Sequence, residues 1–235
     1  MKPYYEDDFV TLFNGDCLEL ADVWTGADVL VTDPPYGIDW GVPERKGRKA
    51  IVSIANDLDL NARDAVLGLW GRVKPAVVFG SALKPMPEGT KQVLVWEKTM
   101  DAGVLGTVAG FRRNMEAIYL LGDFGKLPAN KSSVIRSRTS TTHNAKNAGH
   151  AHSKPIDVMQ VLIEATGGVI ADPFAGSGST LVAARNLGRK VVGVELEEKY
   201  CELIAKRLDA TPLPMFTPEP TTPATVAGAF DLEGL

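Results

Sequence analysis

Cysteine is scarce in this chain of 235 residues, and long apolar runs are absent from it. The two cysteines, Cys17 and Cys201, have no metal-ligand spacing, which argues against a disulfide framework and against a zinc cluster. No run of eighteen apolar residues and no secretory signal pattern occurs, so we expect a cytoplasmic protein with no membrane partner.

Excess positive charge is also missing, since the formal net charge is −4. That balance argues against a protein that coats nucleic acid nonspecifically through its overall charge. Affinity for phosphates nevertheless depends on local clusters of basic residues. No Asp or Glu occurs between Phe124 and Ile156, and basic residues concentrate there and in a shorter stretch near residue 45. The candidate phosphate contacts are Arg45, Lys46, Arg48, Lys49, Lys126, Lys131, Arg136, Arg138 and Lys146. The alternative for each cluster is a solvated loop.

The first chemical motif is Asp33-Pro34-Pro35-Tyr36, which follows an apolar run at 28–32. The run predicts a strand that stops abruptly and presents polar groups at its carboxyl end. An Asp carboxylate beside a proline carbonyl is an acceptor pair suited to an exocyclic NH₂ group, and Tyr36 offers a ring face for stacking. The motif therefore predicts a socket for an aminated aromatic base. An isolated Asp-Pro-Pro sequence is usually no more than a strand end followed by a proline turn, so the prediction also needs a second motif.

A second motif lies far down the chain, where an apolar run ends and a helical pattern begins. Its residues are Asp172, Pro173, Phe174, Ala175, Gly176, Ser177, Gly178, Ser179 and Thr180. A strand, a glycine-rich turn and a helix form a nucleotide-type site, although the spacing matches neither G-x-G-x-x-G nor a phosphate loop. The next predicted strand, at 190–194, ends in Glu195, the position that normally holds a ribose diol.

With these two motifs the chain resembles the amino-group DNA methyltransferases that depend on S-adenosylmethionine. Asp33-Pro34-Pro35-Tyr36 matches their catalytic motif, and residues 172–178 match their cofactor motif. The catalytic motif comes first here, which is the order of the circularly permuted β group. The resemblance covers about residues 10–210.

The resemblance implies an α/β fold with a seven-stranded Rossmann-like sheet and helices on both faces. In it the strands near 168–171 and 190–194 are the first two, the strand at 10–14 is the third, and the strand at 28–32 lies beside the first. Residues 1–210 are then one methyltransferase domain, with a catalytic-side loop at 37–59 and a target-recognition insertion at 123–151. The Pro, Thr and Ala-rich residues 211–235 are expected to be a disordered tail.

The resemblance also implies further cofactor contacts. Asp16 corresponds to an acidic residue near the adenine of the cofactor, and its alternative is a helix N-cap. Residues 150–155 resemble the element His-Pro-Thr-x-Lys-Pro, in which a hydroxyl and a lysine surround the methionine part of the cofactor. Lys154 matches the lysine, and Ser153 is the candidate for the hydroxyl. Glu116, inside an apolar run, is either a support for the wall of the site or a solvent-facing strand residue.

The implied function is transfer of a methyl group from S-adenosylmethionine to the N6 amino group of a flipped-out adenine in double-stranded DNA, by direct attack and without a metal. Within the family, Asp at the first motif position goes mainly with adenine, and N4 of cytosine is the alternative. An RNA or protein-glutamine methyltransferase and a non-catalytic DNA-binding relative are the competing hypotheses. The expected setting is a bacterial cell or a phage-infected host, in a restriction-modification context. A homodimer stays open.

Overall fold

The computed structural model describes residues 2–38, 58–99, 107–126, 130–138 and 153–211. Within these ranges no helix is both long and apolar enough to cross a bilayer. Most of the catalytic-side loop predicted at 37–59, the second half of the predicted insertion and the tail from residue 212 onward lie outside the described residues.

Strands and helices alternate along most of the described chain. In order they are β1 (Tyr5–Glu6), β2 (Val10–Asn14), α1 (Ala21–Trp24), β3 (Val29–Thr32), α2 (Asn61–Trp70), β4 (Ala76–Gly80), β5 (Thr90–Glu97), β6 (Met115–Leu121), β7 (Val134–Arg136), α3 (Ile156–Ile163), β8 (Ile170–Asp172), α4 (Ser179–Asn186), β9 (Val191–Glu195) and α5 (Glu198–Asp209).

The strands form one sheet in the order β1-β2-β9-β8-β3-β4-β6-β5-β7. The pairs from β2 to β4 are parallel, and β6 is antiparallel to both β4 and β5. The predicted succession of the strands near 10–14, 190–194, 168–171 and 28–32 is confirmed. Because these strands are parallel, their carboxyl ends meet at one edge of the sheet, which we call the carboxyl edge.

The sheet has nine described strands, so the prediction of seven is wrong. One extra strand is β1, a two-residue strand that pairs antiparallel with β2 at one border of the sheet. The other is β7, which pairs in parallel with β5 at the opposite border and buries Ile135 to 6% exposure. Strands of two and three residues are too short to show the alternation from which strands are predicted. Part of the predicted insertion at 123–151 is therefore continuous with the main sheet.

Helix α1 is short and covers only Ala21–Trp24. The carboxylate of Asp16 accepts the backbone N–H of Leu18 at 2.8 Å, which stabilises a turn before the helix. Helix α2 ends at Trp70, because Gly71 adopts a φ of +85° and departs from helical geometry.

The hydrophobic core lies on both faces of the sheet. Val29 and Val31 of β3 pack on the side of α3, α4 and α5, while Leu30 between them packs on the side of α1 and α2. On the second side the indole rings of Trp24 and Trp70 stack with their centroids 6.2 Å apart. Side chains on successive strand residues point to opposite faces, so apolar strands of this kind require cover on both sides. The expected α/β architecture with helices on both faces is confirmed.

Candidate active site

The two sequence motifs meet at the carboxyl edge. Strands β3 and β8 are hydrogen-bonded neighbours, so residues 33 and 172 lie at adjacent strand ends. The hydroxyl of Thr32 donates a hydrogen bond to Oδ1 of Asp172 at 2.7 Å, across 140 positions of sequence. The proline motif and the glycine motif therefore form one site.

The carboxylate of Asp33 is held from two sides. The hydroxyl of Tyr36 donates to Oδ1 at 2.6 Å, and the ammonium of Lys154 donates to Oδ2 at 2.5 Å. The same hydroxyl lies 3.0 Å from Oε2 of Glu116, although its one proton can serve only one carboxylate at a time. These contacts fix the orientation of the Tyr36 ring beside the Asp33 carboxylate.

Glu116 lies inside the site. It is therefore a support for the wall of the site and not a solvent-facing strand residue. Its Oε1 is ion-paired with Lys98, and its Oε2 is 3.4 Å from Nζ of Lys154. Burial alone would raise the pKa of the Glu116 carboxyl, but Lys154 and Lys98 lower it to about 2. Burial likewise opposes the charge of Lys154, yet Asp33 and Glu116 hold its pKa above the ordinary value. The two lysines and the two carboxylates thus form a partly buried, charge-balanced network.

Glu116 is expected to make the folded protein sensitive to strong acid. Its pKa falls from an ordinary 4.5 to about 2 on folding, so its stabilising contribution is complete above pH 4.5 and is lost as the pH falls through 2. That shift corresponds to about 3 kcal/mol. Glu116→Gln should reduce the free energy of unfolding at pH 7 and remove this part of its decrease below pH 4.5, as measured by urea unfolding across pH.

Glu202→Gln is the matched control for the acid experiment. Glu202 pairs with Lys206 on the surface of α5, and both side chains are more than half exposed. Solvent screening makes such a pair weak, so the control should leave the stability curve nearly unchanged. If the free energy of unfolding fell equally with decreasing pH in Glu116→Gln and in the unaltered protein, the stabilising role of the network would be contradicted.

A cluster of buried serines connects the glycine turn to the Asp33 side of the site. The hydroxyl of Ser153 lies 3.0 Å from that of Ser177 and 3.1 Å from that of Ser179. Ser179 also donates to the backbone carbonyl of Lys154 at 2.8 Å. Ser153 and Lys154 are consecutive, so one side chain contacts the turn while the next contacts Asp33.

Two glycines shape the turn in different ways. Gly178 has a φ of +78°, and a Cβ there would lie 2.8 Å from the buried side chain of Ile204. Gly176 has a φ of +53°, and a Cβ there would meet only the carbonyl of Phe174, at 3.9 Å. Gly178 is therefore required by packing. Gly176 borders open space, which leaves room for a ligand to approach the backbone.

Glu195 lies beside this open space at the end of β9. Its carboxylate accepts the backbone N–H of Gly176 at 2.7 Å and that of Glu197 at 2.8 Å. Burial raises the pKa of Glu195 to about 7, against the lowering effect of these hydrogen bonds. Burial also raises the pKa of Asp172 to about 6, although Thr180, Thr32 and the Phe174 N–H all stabilise its charged form. Asp172 is fully enclosed by protein partners, whereas Glu195 borders the turn.

The structure locates only part of the predicted DNA surface. Arg45, Lys46, Arg48, Lys49 and Lys146 lie outside the described residues. Of the remaining four cations, Lys126 and Arg138 are exposed. Arg136 donates to the carboxylate of Glu97 at 2.7 Å, and Lys131 lies 3.4 Å from that of Glu164. Half of the four described cations therefore have a carboxylate partner in the folded chain.

Sequence reasoning missed Lys98 and Thr32 as site residues. Lys98 follows β5, and it reaches Glu116 because the register of β5 and β6 places Trp96 opposite Glu116. No local pattern signals that pairing, because it depends on register. Thr32 was visible as the last residue before the motif, but its bond to Asp172 required the neighbouring strand. In the part of the chain that the structure describes, no three His, Cys, Asp or Glu side chains gather as a metal site.

Comparison with known sequences points in the same direction. A family model described as DNA methylase matches residues 83–207, more than half of the chain. The putative methylase YubD of Escherichia coli K12 is 31% identical over 217 residues, which cover 83% of this chain and 88% of that protein. The type II methyltransferase M.ScaI of Streptomyces caespitosus is 28% identical over an alignment of 274 residues with gaps. That alignment covers 92% of this chain and 86% of M.ScaI.

Solved structures share the fold at lower identity. The crystal structure of the M1.HpyAVI-SAM complex is similar with a TM-score of 0.58 at 19% identity, and the match covers 85% of this chain and all of that one. The PvuII DNA methyltransferase, described as cytosine-N4-specific, is similar with a TM-score of 0.60 at 17% identity over 88% of each chain. These similarities confirm the predicted Rossmann-like methyltransferase fold.

Proposed function

Because this chain belongs to the S-adenosylmethionine-dependent DNA amino-methyltransferases, we propose that it transfers a methyl group to the N6 atom of an adenine that is flipped out of duplex DNA. The proposal assigns capture of the amino group to the proline motif and capture of the methyl donor to the glycine turn. It also assigns the DNA contacts to the two basic segments of the sequence.

One observation carries the proposal, the direct connection between the two halves of the site. Ser153 contacts the hydroxyls of the glycine turn, and Lys154 contacts the carboxylate of Asp33. A methyl donor in the turn and an amino group at Asp33 would thus be neighbours. Holding two reactants in contact supplies much of the acceleration of a bimolecular displacement.

The proline motif is suited to activating an aromatic amino group. The nitrogen of such a group is a poor nucleophile, because its lone pair is delocalised into the ring. Hydrogen bonds from both N–H groups to the Asp33 carboxylate and the Pro34 carbonyl would draw the nitrogen toward a pyramidal geometry and free the lone pair. Nζ of Lys154 lies 5.4 Å from the centroid of the Tyr36 ring, so we expect the base to stack on the opposite face.

The glycine turn fits S-adenosylmethionine. Gly176 leaves open space beside the backbone, and the Glu195 carboxylate at the end of β9 is placed to accept hydrogen bonds from ribose hydroxyls. When bound, the cofactor supplies an electrophilic methyl group on a sulfonium. The serine hydroxyls at 153, 177 and 179 are buried and mutually hydrogen-bonded, so they hold the turn rigid around it.

Sequencing of DNA from cells that express the protein, with detection of modified bases, tests the proposal. N6-methyladenine at a fixed sequence context is the expected result, since Asp33 stands at the first position of the catalytic motif. N4-methylcytosine would replace the adenine assignment with the cytosine one. Labelled S-adenosylmethionine offered with duplex DNA, RNA or protein distinguishes the remaining substrates, and no transfer to any of them would favour a non-catalytic relative.

Glu195 is expected to make cofactor affinity depend on pH. Its folded pKa of about 7 lies above the unfolded value, so the stability of the free protein falls as the pH rises from about 4.5 to 7. The ionised carboxylate is the stronger acceptor for hydroxyl groups, so affinity for S-adenosylmethionine should rise between pH 6 and pH 8. Isothermal titration at both pH values measures the effect.

The matched variants for this pH experiment are Glu195→Gln and Glu197→Gln. The first should weaken binding and remove the pH dependence. The second should retain binding and a pH dependence displaced slightly toward lower pH, because the Glu197 carboxylate, which pairs with Lys199, contributes to raising the pKa of Glu195. A pH dependence that survives in Glu195→Gln would refute the assigned role.

A further inference from the structure

The connection between β5 and β6 contains a tight hairpin at the carboxyl edge. Phe111 donates its N–H to the carbonyl of Val108 at 2.9 Å, and Val108 donates in return to Phe111 at 3.3 Å. Between them Ala109 and Gly110 have positive φ values of +50° and +83°. Positive φ at both central residues is the pattern of a type I′ turn. The segment 107–111 therefore has a fixed shape, and we call it the hairpin tip.

Two large apolar side chains of the hairpin tip are exposed to solvent. Phe111 is 79% exposed and Val108 is 67% exposed. Directly opposed residues of a hairpin project from the same face, so the two side chains form one apolar projection. Arg112 and Arg113 follow immediately and are also exposed, and no acidic residue occurs between 107 and 114.

The hairpin tip is close to the Asp33 socket along the chain. Glu116, which lies 3.0 Å from the hydroxyl of Tyr36, follows Phe111 by five residues. Five extended residues span at most about 17 Å. At about 3.4 Å per base step, the tip is within about five steps of a base that occupies the socket.

We propose that Val108 and Phe111 are an apolar wedge that enters duplex DNA beside the target base, while Arg112 and Arg113 contact the flanking phosphates. The inference rests on the proposed function, because it concerns how the base reaches the socket. Extrusion of a base breaks its stacking and leaves a gap in the duplex. An apolar side chain that occupies the opened step replaces that stacking and favours the extruded state.

Charge favours DNA over a second copy of this chain as the partner of the hairpin tip. Two copies that paired through their tips would bring two Arg112-Arg113 pairs together, and like charges at an interface oppose association. The phosphates of a duplex complement the same arginines. Arg138, at the end of β7, is exposed at the same edge and adds positive charge there.

The test compares two duplexes that carry the sequence site identified by modified-base sequencing. In one the target base is paired normally, and in the other it faces an abasic position, so that less stacking and no pairing opposes its extrusion. The variants are Phe111→Ala, Phe111→Trp and, as control, Val73→Ala. Val73 is 78% exposed and precedes β4 at the opposite edge of the sheet. Single-turnover methyl transfer is measured on each duplex.

Phe111→Ala should slow transfer to the paired duplex by about 10- to 100-fold and transfer to the abasic duplex by less than about threefold. Phe111→Trp should retain activity on both, because it keeps an aromatic wedge. Val73→Ala should match the unaltered protein. Phe111 is exposed, so thermal unfolding and S-adenosylmethionine titration should be unchanged in Phe111→Ala.

Several results would overturn the inference. Equal activity of Phe111→Ala and the unaltered protein on the paired duplex would refute the wedge. An equal loss on both duplexes would refute it too, because the contact made by Phe111 would then not depend on extrusion of the base. A change from dimer to monomer in Phe111→Ala would make the tip a subunit contact instead. If the unaltered protein methylates no DNA, the proposed function fails and the wedge fails with it, whereas a failed wedge alone leaves that activity intact.

Discussion

Asp33→Ala is expected to lower the rate of methyl transfer by about 10²- to 10³-fold while the protein still folds and binds S-adenosylmethionine. Removal of one preorganised group that acts in the transition state has effects of this size. Asp33 is assigned the activation of the amino group, and its carboxylate is only partly buried, with 25% of the side chain exposed. Lys154 keeps Glu116 as a partner at 3.4 Å when Asp33 is removed. Single-turnover kinetics and isothermal titration together separate chemistry from binding.

Asp22→Asn is the control for this substitution, because Asp22 is an exposed acidic residue in the first turn of α1. It should leave both measurements unchanged. Asp33→Asn should have an intermediate rate, since the amide oxygen still accepts hydrogen bonds but the amide nitrogen does not. Undiminished methyl transfer by Asp33→Ala would refute the catalytic role assigned to Asp33, whatever the affinity of the variant for the cofactor.

Lys154→Met is expected to be the most destabilising change in the site, by about 3 to 5 kcal/mol. Removing a buried cation leaves excess negative charge behind. Here Asp33 loses its ammonium partner, Glu116 keeps only Lys98, and the lost cation is itself 8% exposed. The free energy of unfolding, measured in urea at pH 7, reports the loss. The deficit should shrink as the pH falls and the Glu116 carboxylate becomes protonated.

Two further variants test the origin of that loss. Combining Lys154→Met with Glu116→Gln leaves one cation, Lys98, and one carboxylate, Asp33, so the charges balance again. The double variant should therefore be more stable than Lys154→Met alone. Lys131→Met breaks an exposed pair with Glu164, whose side chains are 45% and 50% exposed, and should cost less than about 1 kcal/mol. Similar losses in the free energy of unfolding for Lys154→Met and Lys131→Met would show that the network stabilises the protein no more than an exposed ion pair does.

Much of the fold was predictable from the sequence. The long strands carry apolar runs, and the helices α3 and α5 carry apolar residues at helical spacing, so their existence followed from periodicity. The order of the four strands near 10–14, 28–32, 170 and 191 followed from the permuted motif order. By contrast, β1 and β7 contain two and three residues, and they exist because longer neighbours offer an edge to pair with.

The residues of the candidate site could likewise be predicted only in part from the sequence. The proline motif and the glycine turn could be recognised because proline and glycine constrain the backbone within a few residues. Outside the site, Arg185 could not be predicted to be a structural residue, because it lies in a helix with no distinctive pattern around it. It is 4% exposed and joins Asp7 at 2.7 Å to the carbonyl of Leu208 at 3.0 Å. Nothing near residue 185 in the sequence indicates those partners.

Residue type and short-range spacing were thus sufficient to identify an acceptor pair, a ligand turn and the family to which they belong. They were not sufficient to show that the ammonium of Lys154 pairs with Asp33, or that Lys98 and Glu116 complete a partly buried charge network. The physical reason is that a backbone constraint acts locally, whereas the partner of a charge is set by strand order and register. Those are properties of the folded chain, and they place groups 121 positions apart within hydrogen-bonding distance.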